Sequence, residues 1–323
     1  MKLKVVTAYN LDKEVDRVRD AGFEVTRVAG PANTEDLVIE KMRGFDAIAA
    51  FAEPYPAKVL EGLKDDLKIL VRHGIGYDKV DIERATQLGI CVCNTPGTMS
   101  TGVAEETVAM MLECTRGFYR AHIAMQHGKW DRGNGPTNQM EGSTVGLIGF
   151  GNIGQRVAQY LKGFQCRILA YDIYYNEDKL QELGVEKATL DEIAAQSDFV
   201  SVHVPALPET RQIVNEAFLA AMKPSAFLIN TSRGDTVDEK ALISALQNHI
   251  IAGAALDVFE VEPTPVDNPL RYMDNCFVNP HRATYTYGCI RAGFDGIVKC
   301  LKEYEAGEIP QFCLNPEYVK YKK

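Results

Sequence analysis

Three side chains in the second half of this chain could together hold an anion and move a proton. They are Arg233 in Asn230-Thr-Ser-Arg-Gly234, an acid in Asp257-Val-Phe-Glu-Val-Glu-Pro263, and His281 in Asn279-Pro-His-Arg-Ala283. A guanidinium is a planar fork of donors, suited to gripping a carboxylate while it polarises a neighbouring carbonyl. An imidazole titrates near neutral pH, so it can give a proton to a carbonyl oxygen and take it back. A carboxylate facing it would fix the ring and stabilise the imidazolium. Glu260 and Glu262 are both available for that part, and spacing alone does not choose between them. Taken singly, such a histidine is more often a core or capping residue, and Arg233 could simply pair with Asp235. Their common position argues otherwise: each follows an apolar run that reads as a parallel strand, and open α/β sheets bind ligands at strand C-termini.

The element that must bring a reactant to these groups lies upstream, at Thr144-Val-Gly-Leu-Ile-Gly149-Phe-Gly151-Asn-Ile-Gly154. A β-type run (Val145, Leu147, Ile148) leads into it and a helical pattern (Ile153, Val157, Ala158, Leu161) leads out, which is the context of a dinucleotide-binding turn. Gly149 makes the tight turn, Gly151 leaves room for a pyrophosphate against the backbone, and Gly154 lets the helix pack on the sheet. The helix beginning near Asn152 then points unpaired N–H groups at the phosphates. Asp172 closes the next strand, where a carboxylate accepts the adenosine ribose hydroxyls and repels a 2′-phosphate. Ile173, Tyr174 and Tyr175 after it provide no cation for such a phosphate, so NAD is expected rather than NADP. A nicotinamide supplies hydride, and the guanidinium, carboxylate and imidazole above suffice for the rest.

The β–α alternation is regular from Thr144 onward, with strands expected at Val145–Ile148, Ile168–Tyr171, Phe199–Val204, Ala226–Asn230, Ala252–Val258 and Phe277–Val278. Thr189-Leu-Asp-Glu192 is a capping-box signal, and Asp238 can cap the helix that comes after it. Four earlier β-type runs, Leu3–Thr7, Phe45–Phe51, Leu67–Val71 and Ile90–Cys93, form a separate small unit. The tail after His281 has a helical apolar face (Ile290, Phe294, Ile297, Leu301) and is too short to fold alone, so it is expected to pack back on that unit. The fold class is therefore α/β, two Rossmann-like domains on doubly wound parallel sheets. A discontinuous substrate domain covers 1–101 plus 291–323 and an NAD-binding domain covers 102–290.

With 323 residues, 46% of them hydrophobic and 24% charged, the chain is sized for two globular domains. A net charge of −9 without a basic run argues against nucleic acid as a partner. No apolar run approaches membrane-spanning length, and the N-terminus reads as a strand rather than a secretory signal. Eight scattered cysteines fit free thiols in a reducing, cytoplasmic setting. Cys91-Val-Cys93 is the only close pair and reads as buried strand, so no metal site is expected. Between Thr115 and Gly142 a polar stretch carrying Gly128-Lys-Trp130 could form an exposed arm whose lone Trp anchors on a partner subunit.

The ordered set of the glycine motif, His203-Val-Pro205, Asn230-Thr-Ser-Arg-Gly234, Asp257-Val-Phe-Glu-Val-Glu-Pro263 and Pro280-His281 resembles the signature series of the D-isomer-specific 2-hydroxyacid dehydrogenases, from Leu67 to Ala283. The resemblance implies that Arg233, Glu262 and His281 are the catalytic trio, choosing Glu262 over Glu260. It implies a cofactor site that includes Asn152, Ile153, His203 and Pro205, with Thr231, Ser232, Asp257 and His281 toward the nicotinamide. It also implies that Arg72-His-Gly-Ile-Gly76 is a substrate loop whose backbone N–H groups, near Gly74, Ile75 and Gly76, take the carboxylate, a sensible nest for an anion. The same resemblance carries the expectation of a homodimer, a substrate held between the domains and a reversible NADH-linked reduction of a small 2-oxo acid to a D-2-hydroxy acid. Thr98 and Met99 stand where D-lactate enzymes of the family carry an aromatic side chain, which disfavours lactate. Arg72 falls where phosphoglycerate dehydrogenases place a phosphate-holding arginine, but His73 replaces their small residue. Arg282 and Thr284 replace apolar and aromatic residues common in the family. The alternatives are a phosphoglycerate dehydrogenase or a hydroxypyruvate or glyoxylate reductase on the same machinery. More distant is an NAD(H)-sensing corepressor-like protein, against which the retention of all three chemical groups speaks.

Overall fold

The computed structural model describes residues 2–9, 12–30, 32–130 and 137–322. The chain forms two units, 1–99 with 286–323 and 100–285. It changes unit at the starts of two long helices, Ser100–Arg116 and Tyr287–Glu305, so neither helix is divided. That places the boundaries a few residues before those read from sequence.

The first unit carries five parallel strands, β1 (Lys4–Thr7), β2 (Glu24–Arg27), β3 (Ala47–Ala50), β4 (Ile69–Arg72) and β5 (Cys91–Cys93), in the order β2-β1-β3-β4-β5. Side chains alternate across a strand, and here each face has its own core. Val6, Ile48, Leu70 and Val92 enter one cluster. Val5, Ala47, Ala49, Ile69, Val71, Cys91 and Cys93 enter the other, which the terminal helix completes with Ile290, Phe294, Ile297, Cys300, Leu301 and Tyr304. Burying an apolar side chain of Leu, Ile or Phe size contributes about 1.5–3 kcal/mol, so the tail is integral to this unit.

The second unit carries β6 (Thr144–Ile148), β7 (Arg167–Tyr171), β8 (Val185–Lys187), β9 (Phe199–Val202), β10 (Phe227–Asn230), β11 (Gly253–Leu256) and β12 (Cys276–Val278). They form one parallel sheet in the order β12-β11-β10-β9-β6-β7-β8. β6 and β9 are neighbours although the chain visits β7 and β8 between them. The strand order therefore reverses at their C-terminal ends, the switch point where such sheets hold ligands. β9 and β11 are buried along their whole length because helices cover both faces.

The caps read from sequence are present. Thr189 and Glu192 bond reciprocally, and Asp238 accepts the Ala241 N–H at 3.0 Å. The stretch after Thr115 contains a helix, Phe118–Gln126, with no buried residue and with Phe118, Tyr119 and Met125 exposed; Trp130 beyond it is also exposed. Residues 131–136 of that proposed arm lie outside the described residues. No helix among the described residues is long and apolar enough to cross a membrane.

Candidate active site

The glycine turn is shaped by what surrounds it. Gly149 has φ +105°, a conformation that favours glycine, and a Cβ there would fall 2.8 Å from the His203 carbonyl carbon. Gly154 allows no side chain either, since a Cβ would come within 2.3 Å of the Gly149 oxygen. A Cβ on Gly151, by contrast, would meet nothing within 4 Å. Open space therefore lies in front of the helix Asn152–Leu161, whose first turn has no intrahelical acceptor for its N–H groups. The three glycines thus serve turn, cradle and close packing, and the cradle suits a pyrophosphate.

His203 follows β9 beside this turn. Its N–H bonds the Ile148 carbonyl at 2.7 Å and its Nε2 pairs with Ser201 Oγ at 2.9 Å. Its ring is enclosed and Nδ1 has no partner among the described residues, and burial pushes its pKa down to about 3. Across the turn, Asp172 Oδ2 accepts the Phe150 N–H at 2.6 Å and Oδ1 accepts the Tyr174 N–H at 3.2 Å. Asp172 is only half-buried, and a carboxylate has about four acceptor positions, so two remain for ribose hydroxyls. Ile173 and Tyr174 beside it are exposed and carry no charge. Ile153 packs against the core below the helix, and Pro205 is exposed, its carbonyl accepting from Thr210 Oγ1 at 2.5 Å.

The Arg233 loop is organised by Asn230, a residue whose part was not read from sequence. Its Nδ2 donates to the Arg233 carbonyl at 2.9 Å, and its Oδ1 accepts the Ser232 N–H and hydroxyl at 3.0 and 2.8 Å. Thr231 is buried and its hydroxyl meets Thr107 of the helix Ser100–Arg116 at 2.9 Å. Asp235 pairs with Arg211 at 3.2 Å.

The segment after β11 supplies the acid. Glu262 Oε2 lies 2.7 Å from His281 Nδ1, while its Oε1 accepts the Phe259 N–H at 3.1 Å. Glu260 is turned away, its carboxylate accepting from Glu239 N at 3.3 Å, so the geometry separates the two candidates. Burial raises the Glu262 carboxyl, but the His281 hydrogen bond and charge, the Phe259 N–H and the Arg233 guanidinium outweigh it and hold it below the usual range. The same balance shows that Arg233 lies within electrostatic reach of the pair.

Asp257 fixes His281 from beneath. This carboxylate is 1% exposed, yet it accepts the Arg282 and Ala283 N–H groups at 2.8 and 3.0 Å, and the Asp257 carbonyl takes the His281 N–H at 2.8 Å. Burial raises the Asp257 carboxyl against those bonds. His281 itself has φ +49°, a left-handed conformation that costs a non-glycine residue on the order of 1–3 kcal/mol and survives where surrounding bonds dictate it. With Nδ1 engaged by a carboxylate, Nδ1 carries the proton and Nε2 is the nitrogen that can exchange one.

The Arg72–Gly76 loop belongs to the first unit. Its Gly74 N–H is taken by Thr95 Oγ1 at 2.7 Å, and the His73 N–H by the Ala50 carbonyl at 2.8 Å. Among the described residues, Ile75 and Gly76 are left with N–H groups that bond nothing. The His73 ring stacks on Phe51 at 4.4 Å and its Nε2 meets the Ile290 carbonyl at 3.1 Å. Burial lowers its pKa to about 4, so it is neutral at physiological pH. Arg72 Nη1 donates to the His73 carbonyl at 2.5 Å.

Residues 108–283 match the sequence profile of the NAD binding domain of D-isomer specific 2-hydroxyacid dehydrogenases. A glyoxylate reductase of Korarchaeum cryptofilum is 38% identical over 292 residues, 89% of this chain and 88% of that protein. A D-3-phosphoglycerate dehydrogenase of Methanocaldococcus jannaschii is 33% identical over 322 residues, but the chain spans only 61% of its length. The apo-structure of Escherichia coli D-lactate dehydrogenase superposes with a TM-score of 0.87 at 31% identity, over 97% of this chain and all of that one.

Proposed function

Because the chain belongs to the D-isomer specific 2-hydroxyacid dehydrogenases, NAD-dependent oxidoreductases acting on a CH–OH group, we propose that Arg233, Glu262 and His281 reduce a small 2-oxo acid, glyoxylate or hydroxypyruvate, on this protein. The observation that carries the reading is the 2.7 Å bond between Glu262 and His281 beside a guanidinium that both biases Glu262 and follows a strand C-terminus. Bound NADH supplies the hydride to the carbonyl carbon. His281 Nε2 gives its proton to the carbonyl oxygen as the hydride arrives, and Glu262 stabilises the imidazolium before that transfer. Arg233 holds the substrate carboxylate and polarises the carbonyl, and the unbonded N–H groups of Ile75 and Gly76 give the first unit an anion-binding nest of its own. On the cofactor side, the first turn of Asn152–Leu161 takes the pyrophosphate and Asp172 the ribose. In the reverse direction neutral His281 accepts the hydroxyl proton.

The relatives' names support the glyoxylate-sized end of the substrate range. Arg72 already donates to the His73 carbonyl, which weighs against a phosphorylated substrate. We further propose that two copies pair through the second unit, supported by the exposed Phe118, Tyr119, Met125 and Trp130, and that the setting is cytoplasmic, supported by eight cysteines without a disulfide. NADH consumption measured with 2-oxo acids graded in size and charge tests the substrate reading. Preference for glyoxylate or hydroxypyruvate supports it, and turnover confined to phosphorylated acids overturns it.

A further inference from the structure

Cys91 and Cys93 stand two residues apart on β5, so their thiols leave the same face of the sheet, and their sulfurs lie 3.7 Å apart. The chain's C-terminal segment brings a third thiol to them. Cys313 bridges β5 in antiparallel fashion opposite Cys93, and its Sγ lies 3.7 Å from that of Cys91. All three ligand atoms fall within 4.8 Å of one another, the only group of three or more such donors among the described residues. A fourth thiol, that of Cys300 on the terminal helix, is buried in the same core cluster. The sequence marks Cys91 and Cys93 as strand residues only, because two of their companions lie more than two hundred positions away.

These spacings fit one kind of occupant. A disulfide needs its sulfurs about 2.05 Å apart, so none of these pairs is bonded. Four thiolates at about 2.3 Å from a tetrahedral zinc ion stand about 3.8 Å from each other, close to both observed separations. We propose that Cys91, Cys93 and Cys313 supply three thiolates to a thiophilic divalent ion of the zinc class. Tetrahedral sulfur ligation selects such an ion over the oxygen-seeking magnesium or calcium.

The surroundings suit that role. Asn315, two residues beyond Cys313, ties the segment to the sheet by accepting the Val92 N–H at 2.8 Å and donating to the Ile90 carbonyl at 2.9 Å. Tyr318 is buried in the same core cluster as Cys91, Cys93 and Cys300. Cys313 is partly exposed, which gives an ion a way in, while Cys91, Cys93 and Cys300 are fully buried. Each ligating thiol releases its proton to solvent on binding, and no oxidant or reductant is needed. The ion would clamp the end of the chain onto the edge strand of the first unit, and the Arg233, Glu262 and His281 chemistry does not require it.

Metal content of the full-length protein, purified without chelator, tests the proposal by elemental analysis. About one zinc per chain is expected, lost in Cys313→Ser and in Cys91→Ser but kept in Cys166→Ser, a cysteine of the other unit. Cobalt(II) added to chelator-treated wild-type protein gives a reading that needs no variant: thiolate-to-cobalt charge transfer with tetrahedral ligand-field bands is expected. A wild-type protein that takes up neither zinc nor cobalt(II) and titrates all eight thiols as free overturns the proposal, as does one isolated with a Cys91–Cys313 disulfide and no metal.

Discussion

Gly234, the residue after Arg233, rests directly on the backbone of Phe259, three residues before Glu262. A Cβ at Gly234 would fall 1.9 Å from the Phe259 carbonyl carbon and 2.3 Å from the Glu260 nitrogen. The guanidinium loop and the carboxylate loop are therefore set against each other by main chain alone. Gly234→Ala must part them. We expect it to cost about 1–3 kcal/mol in stability, as overpacking generally does, and to lower kcat with Arg233 and Glu262 both still present. Kinetics and a melting curve on that variant check this; parental values for both would refute the contact's importance.

His281→Ala removes the group proposed to move the proton, and general acid–base catalysis is worth roughly 10²–10⁴ in rate. We expect reduction to fall by that order while NADH titrates with unchanged affinity. Glu262→Gln keeps the hydrogen bond and removes the charge that favours imidazolium. Because reduction consumes the protonated imidazole, its rate declines as pH rises, and in Glu262→Gln that decline should move to lower pH. A pH profile of single-turnover reduction decides it, and superimposable profiles would show that Glu262 does not act on the proton.

Asp172 binds both its own loop and the glycine turn, through Tyr174 and Phe150. Asp172→Ser with Ile173→Arg should weaken NADH binding and admit NADPH, because a 2′-phosphate then meets a cation instead of a carboxylate. Loss of the Phe150 bond should also destabilise the second unit by about 1–3 kcal/mol. Fluorescence titration with both cofactors, beside urea unfolding, separates the two effects. An unaltered preference for NADH would place the ribose elsewhere.

Acid should destabilise the fold before its carboxylates are fully protonated. His203 and His73 are held neutral by burial, with pKa values lowered to about 3 and about 4. The unfolded chain binds those protons near pH 6.5 and the folded chain does not, so stability falls as pH drops below that value. Each such group costs up to about 1.4 kcal/mol per pH unit until its folded pKa is reached. Glu262, whose carboxyl is lowered, adds a loss in the same direction at more acidic pH. Urea midpoints between about pH 7 and pH 5 read this slope, and a flat series would mean that both rings charge without unfolding.

Local signals carried far in this chain. The glycine turn, the Thr189 cap and the long strands were legible because each is a rule about neighbouring residues. The edge strands Glu24–Arg27 and Val185–Lys187 were not, since each buries a single side chain and its charged residues hide the alternation. Spacing alone did not choose between Glu260 and Glu262; the family resemblance did, and the structure turns the Glu260 carboxylate toward Glu239. Nor could sequence tell that Thr95 occupies the Gly74 N–H, or that Cys313 would reach Cys91. These are contacts between remote segments, set by the way the whole sheet is wound.

The second unit is one unbroken stretch, whereas the first is closed only by the helix Tyr287–Glu305 and the C-terminal residues beyond it. On the ribosome the nucleotide half can therefore fold while translation continues. The half that was made first must wait, with Val5, Ile69 and Val71 lacking their final cover until the helix Tyr287–Glu305 has been made. Chains cut before Tyr287 should keep cofactor affinity and fail in the older half, a division of labour between birth order and folding order.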